Sequence, residues 1–155
     1  MQLTRFTDLG LRTMMLLAAG EADEQRVTTR TIAAGANASE HHVAKAVSRL
    51  SELGMVHARR GRVGGLTLTE EGRHASVGGL VRRLEGDREV IECGGDDPCP
   101  LIAGCRLRRA LAEAKEAFYA ELDHYTVADL ATPALPLVFL GAPARKNPTD
   151  ERTVR

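Results

Sequence analysis

The chain has no apolar run approaching the roughly 18 residues that a membrane span requires, which excludes a transmembrane anchor and points to a soluble protein. It also has no net charge, with 21 Lys or Arg against 21 Asp or Glu. The opening Met1-Gln2-Leu3-Thr4-Arg5 lacks the basic segment and apolar stretch of a secretory signal, so a cytoplasmic location is expected. Cysteine is scarce, three in 155 residues. A reducing compartment and an odd count leave no basis for a disulfide framework. There are no internal repeats, and none of the five histidines (41, 42, 57, 74 and 124) forms a recognisable catalytic signature with a cysteine.

What remains is a globular composition, 43% hydrophobic and 27% charged, in a chain long enough for one ordinary domain with an appended element. The neutral total conceals an asymmetry. Residues 1–83 hold 12 Lys or Arg against 8 Asp or Glu, a surplus of four positive charges, whereas residues 84–155 hold 9 against 13, a surplus of four negative ones. A polyanionic partner is directed to the first half.

Apolar periodicity predicts a first helix over 7–19, carried by Leu9, Leu11, Met14, Met15, Leu16 and Ala18. A short second helix over 28–34 contains Ile32 and ends near Gly35. Asn37-Ala38-Ser39 then supplies a turn and an N-cap, and Val43, Val47, Leu50 and Leu53 mark a third helix that Gly54 stops. From Met55 the apolar period becomes alternating, through Val56 and Ala58 to a glycine-rich turn at Gly61, Gly64 and Gly65, then Leu66 and Leu68, which reads as a β-hairpin. A further helix is predicted over 70–84, although Gly78 and Gly79 weaken it. The expected division is a winged helix-turn-helix over 1–84, a cofactor-binding loop over 85–106, a dimerisation helix over 107–130 and a flexible tail over 131–155. That last helix carries a stripe at Leu107, Leu111, Ala114, Phe118, Leu122 and Tyr125 that needs a partner surface. The tail contains four of the six prolines.

A mainly α chain with helix, turn, helix and a small β-hairpin wing matches the winged helix-turn-helix, whose second helix enters the major groove of double-stranded DNA. The third helix takes that role, leaving His41, His42, Lys45, Ser48 and Arg49 off its core face. Between Lys45 and Arg62 five cations, Lys45, Arg49, Arg59, Arg60 and Arg62, oppose the single acid Glu52. Cations on an amphipathic helix alone are as well explained by a solvated face. The ordered combination with a basic hairpin favours phosphate neutralisation, and Arg62 at the hairpin tip suits a minor groove.

All three cysteines fall within 13 residues as Cys93-Gly-Gly-Asp-Asp-Pro-Cys99-Pro-Leu-Ile-Ala-Gly-Cys105. Three thiolates on a loop bent by prolines and freed by glycines suit a soft metal or an iron-sulfur cluster. Zinc competes, but its structural sites pair cysteines two to four residues apart, unlike this even spacing of five.

These residues together resemble the winged-helix iron-sulfur repressors. The resemblance covers about residues 1–130 and rests on Leu3-Thr4-Arg5-Phe6-Thr7-Asp8-Leu9-Gly10-Leu11-Arg12, on His42-Val43-Ala44-Lys45-Ala46-Val47 with Leu50 and Gly54, on Arg60-Gly61-Arg62-Val63-Gly64-Gly65-Leu66, and on the three-cysteine loop before a long helix. It implies a homodimer with one cluster per subunit, held by Cys93, Cys99 and Cys105. The match is nearest to the nitric-oxide-sensing branch, which implies an operator-bound repressor released when nitric oxide attacks the cluster. Cluster-assembly regulators of this family carry a histidine ligand three residues after the last cysteine, where this chain has Arg108. The fourth ligand is therefore sought among Asp8, Glu92, Asp96 and Asp97, and the resemblance singles out Asp8, donated across the dimer. On sequence alone Asp8 reads first as a helix-start carboxylate stabilised by the macrodipole, and its ligand role comes from the resemblance. A [4Fe-4S] cluster is expected, with [2Fe-2S] as the alternative. The rival functions are a regulator of iron-sulfur or redox status, a zinc-stabilised interaction module without a DNA role, and a small redox enzyme.

Overall fold

A computed structural model describes residues 2–22, 26–59, 61, 64–86 and 88–131. The tail expected over 131–155 therefore lies outside the described residues beyond Ala131. The fold class read from the sequence holds: helices dominate, and a two-stranded antiparallel hairpin is the sheet.

Helix α1 (Arg5–Ala22) extends past both predicted ends. Its start is set by Thr4, whose hydroxyl accepts the Thr7 N–H at 3.3 Å in the manner of an N-cap. Leu9, Met14, Leu16, Leu17 and Ala18 of α1 are buried. Helix α2 (Thr29–Gly35) is closed at its start by a capping box in which Thr28 and Thr31 exchange hydrogen bonds. The turn to α3 (Glu40–Glu52) passes through Asn37 at φ 48°, a left-handed conformation that asparagine tolerates. At the end of α3 Gly54 adopts φ 75°, its N–H donates to the Ser51 carbonyl at 3.0 Å, and the Met55 N–H donates to the Leu50 carbonyl at 2.9 Å. That is a Schellman stop, and it drops Met55, 1% exposed, into the core beside Leu50.

Strands β1 (Val56–Arg59) and β2 (Gly65–Leu68) pair from Val56 opposite Leu68 to Arg59 opposite Gly65. Val27 adds an isolated bridge on the far side of β2, with Leu66 N–H donating to its carbonyl at 2.9 Å. The wing is thereby tied to the chain just ahead of α2.

The helix predicted over 70–84 is two helices, α4 (Glu70–His74) and α5 (Val77–Glu85). Ala75 leaves the helical region at ψ 132°, and Ser76 caps the new helix by accepting the Gly79 N–H at 3.0 Å. The break also exposes backbone that later chain uses: Val77 N–H donates to Tyr125 and Val127 N–H to Ala75, at 2.8 and 3.1 Å. After the 88–105 loop, α6 (Arg106–Leu122) stops short of the predicted 130, and α7 (Val127–Leu130) returns to pack against α1 and α4. Val127 is 1% exposed in the same core as Met14 and Ile32. The segment assigned from sequence to the end of the dimerisation helix thus completes the winged domain.

The apolar stripe read on α6 divides accordingly. Phe118 and Leu122 pack with Tyr119, Val77 and Val81 in a second core, whereas Leu107 is 60% and Tyr125 46% exposed. Tyr119, off the predicted stripe, is the buried residue of α6, and Arg82 lies over its ring at 4.8 Å from the centroid. Arg82 also donates to Asp123 at 2.8 Å, and Ser76 donates to the other Asp123 oxygen at 2.7 Å. The glycines that weakened the α5 prediction explain the crossing: a Cβ at Gly78 would stand 2.3 Å from the Tyr119 carbonyl oxygen.

Candidate nucleic-acid interface and cysteine loop

Helix α3 turns Val43, Ala46, Val47 and Leu50 into the core. Ala46 was not among the apolar positions read from the sequence, and Leu53 is only partly buried. His41, His42, Lys45, Ser48 and Arg49 are all exposed, as is Arg59 on β1. Arg60 and Arg62 lie outside the described residues. His42 has a second task, because its Nδ1 is 2.9 Å from the Ser39 hydroxyl that caps the helix. Arg49 pairs with Glu52 at 3.2 Å across an exposed turn.

Between α3 and the wing runs an open groove of about 470 Å³. Ser48 and Arg59 line it, as expected, but so do Arg26, Thr28, Thr29 and Ala44, which sequence reasoning did not single out. Ala44 was legible in principle, four residues before Ser48 on the same helical face. Arg26 was not, since only the fold brings its guanidinium to the Gly64 carbonyl at the wing base. The groove joins backbone, hydroxyl and guanidinium groups of α3, the hairpin strands and the chain ahead of α2, a set of groups of the kind that contacts nucleic-acid phosphates.

The cysteine loop covers the N-terminal end of α6. Cys99 N–H donates to the Cys93 carbonyl and Ile102 N–H to that of Cys99, both at 3.1 Å. A one-turn 3-10 helix (Ile102–Gly104) then delivers Cys105 as the N-cap of α6, its sulfur accepting the Arg108 N–H at 3.4 Å. Cys93 is buried, while Cys99 and Cys105 are partly exposed and all three are free thiols. Burial pushes the Cys93 thiol up, the negative charge of Glu89, Cys99 and Cys105 adds to the rise, and Arg108 opposes it. Among the described residues, however, no three Cys, His, Asp or Glu side chains are already gathered as a metal-binding group. The donor chemistry fits a soft-metal or cluster site; the loop, glycine-flanked at Gly94, Gly95 and Gly104, would close the sulfurs onto it.

Arg108 is committed elsewhere. Its guanidinium forks onto Glu89, with Nε 2.9 and 3.1 Å from the two carboxylate oxygens and a further contact through Nη2. That hydrogen bonding holds the Glu89 carboxyl below the usual range. Asp96 and Asp97 are exposed, and Glu92 lies near Gly95. Asp8 sits in the first turn of α1 and accepts from Arg12 Nε at 2.7 Å. Within one chain it is not grouped with the cysteines.

A family model described as Rrf2, iron-dependent transcriptional regulator, matches residues 3–133. The chain belongs to the Rrf2 family. The HTH-type transcriptional repressor NsrR of Streptomyces coelicolor is 54% identical over 147 residues, 95% of this chain and 99% of that one. HTH-type transcriptional regulator NsrR of Geobacillus kaustophilus is 41% identical over 132 residues, covering 84% and 89%. Among solved structures, the global cysteine regulator CymR of B. subtilis superposes with a TM-score of 0.64 at 29% identity, covering 84% of this chain and 96% of its own. T. potens IscR gives the same TM-score at 25% identity, covering 84% and 85%. The Rrf2 assignment makes this chain a transcriptional regulator rather than an enzyme, and no described helix is long and apolar enough to cross a membrane.

Proposed function

We propose that this chain is a homodimeric repressor that binds an operator through α3 and the wing and senses nitric oxide at an iron-sulfur cluster held by Cys93, Cys99 and Cys105. The observation that carries the proposal is the position of the cysteine loop: its last sulfur caps α6, and α6 is packed through Tyr119 and Asp123 onto the winged domain. A rearrangement of the loop is therefore coupled to the helix that sets the attitude of the DNA-binding head. The 54% identity to a protein named NsrR supports the same assignment.

Bound by three thiolates and one weak oxygen ligand, a [4Fe-4S] cluster supplies an iron open to a small diatomic ligand. The chain's own residues do the rest. The three cysteines anchor the loop to α6 and, as ligands, bring residues 93 and 105 together. Asp8 of a second copy supplies the fourth ligand, breaking its pair with Arg12, and so links the loop of one subunit to α1 of the other. Lys45, Arg49, Arg59, Arg60 and Arg62 neutralise phosphates, Ser48 and His41 add exposed polar groups on α3, and His42 is shared with the helix cap. Two recognition helices must match half-sites one duplex turn apart or a multiple of it, so a small change in the setting of α6 releases the operator.

The decisive experiment is an anaerobic absorbance titration of the purified dimer with nitric oxide, run beside a band shift on a palindromic operator at fixed salt. Loss of the iron-sulfur band in step with loss of the shifted band is expected. A colourless protein that binds zinc and duplex DNA would remove the sensor and leave the winged regulator. A [2Fe-2S] spectrum with DNA binding set by reductant would favour a regulator of redox or iron-sulfur status.

A further inference from the structure

The Glu89 and Arg108 pair brackets the three cysteines, Glu89 four residues before Cys93 and Arg108 three after Cys105, and the function proposed above does not use it. Arg108 is on α6, one turn after the cap Cys105, and its backbone N–H already touches that sulfur. Glu89 is on the strand of loop leading to Cys93. The same carboxylate borders both hollows of the loop, one of about 500 Å³ with Cys105 and Arg108 on its wall and one of about 520 Å³ with Cys93 on its wall. A second tie runs parallel to the fork: Lys115 Nζ donates to the Arg88 carbonyl at 3.0 Å. Two ties from α6 thus pin residues 88 and 89, and one of them is a cation and anion pair on the walls of the hollows that Cys105 and Cys93 line.

We propose that Arg108 and Glu89 are positioning residues of the three-cysteine site, the guanidinium held by Glu89 so that its positive charge offsets the thiolate charge created when the cysteines take up a metal. The inference rests on the cysteines being the ligands. Taking up a divalent ion converts three neutral thiols into three thiolates, releases their three protons to solvent and leaves a net charge of minus one on the site. A fixed cation at that place favours the loaded state, and a fixed anion opposes it. Glu89 holds the cation at the expense of its own repulsion, so the two partners have opposite electrostatic signs although they make one structural bond.

The opposition of sign gives the test. Cluster-free full chain, reduced and anaerobic, is titrated with Co²⁺, whose thiolate charge-transfer absorption reports binding at the cysteines. Arg108→Gln is expected to weaken Co²⁺ binding by about two- to fivefold, the range for partly exposed charge pairs, and Glu89→Gln to tighten it by a similar factor. Arg108→Lys, which keeps the charge, should stay near the parent protein, and the Glu89→Gln, Arg108→Gln double variant should return toward it. All differences should shrink in 1 M salt, where screening acts within about 3 Å. If both single variants weaken binding alike, the pair is a strut and the proposal is overturned; the same follows if neither changes it. Failure of the parent protein to bind Co²⁺ through its thiols is a separate outcome, which removes the cysteine site itself. Melting curves of each variant identify any that have lost the fold, and the lysine variant then decides.

Discussion

Replacing Gly78 by alanine sets two effects of comparable size against each other, and the packing of α5 on α6 decides the sign. Alanine in a helix is favoured over glycine by at most about 1 kcal/mol, and less in the first turn, where Gly78 sits. The added Cβ would stand 2.3 Å from the Tyr119 carbonyl oxygen and 2.4 Å from Asp123 Oδ1, against an ordinary contact of 3.4 Å or more. Relief needs a displacement of about 1 Å between two helices, and the obstacle is backbone rather than the end of a flexible side chain. Overpacking of that kind costs about 1–3 kcal/mol. Moving Asp123 also strains its bonds from Ser76 and Arg82. A net loss of about 2 kcal/mol is expected, or roughly 4–8 °C in melting temperature for a domain of this size. Urea unfolding at a fixed protein concentration measures it. Gly94→Ala, where a Cβ meets nothing within 4 Å, serves as the comparison and should stay within about 0.5 kcal/mol. An unchanged or raised urea midpoint for Gly78→Ala would refute the close crossing of α5 and α6.

Replacing any of Cys93, Cys99 or Cys105 by serine should abolish the iron-sulfur absorbance and the nitric-oxide response while leaving the fold melting cooperatively; a persistent response would sink the sensor mechanism. Asp8→Ala should keep the protein coloured but change the spectrum and its rate of reaction with nitric oxide, and an unchanged spectrum and rate would take Asp8 out of the ligand set. For DNA, Lys45→Ala should weaken binding at every operator and lower the slope of log affinity against log salt by about 1, as the loss of one phosphate contact requires. Acid stability should follow Asp123, whose carboxyl is held low first by the hydrogen bond from Arg82 and then by that from Ser76. A group with a depressed folded pKa stabilises above its unfolded value, about 3.9, and the contribution disappears as pH falls through the folded value. Thermal melts between pH 3 and 7 should therefore show a steeper acid limb for the parent protein than for Asp123→Asn.

The DNA-binding half was readable because its signals are local. Ser39, the Val43 to Leu50 spacing and Gly54 define α3 within 16 residues, and the alternation from Val56 to Leu68 defines the wing. The far half was less so, for reasons that lie in tertiary contacts. Nothing near Ser76 in sequence announces that its neighbours will bond to residues 125 and 127, and without that pairing 70–84 reads as one helix. Gly78 looked like a defect in a helix because its purpose, close approach to α6, belongs to a residue 41 positions away. The cysteines declared themselves by spacing alone, whereas Glu89 was one acid among many in an acidic loop until the fold placed Arg108 against it.

The chain's return at 126–130 changes what α6 can do. Its first turn is fastened to the cysteine loop, and just beyond its last turn the backbone is laced to residues 75–77 and Val127 is sunk in the winged core. A rod clamped at both ends cannot swing like a lever arm. What it can pass along is a twist or a slide about its own axis, with Tyr119 and Arg82 as the bearing. Any signal born at the sulfur end would reach the DNA head as torque, within a body that holds its shape.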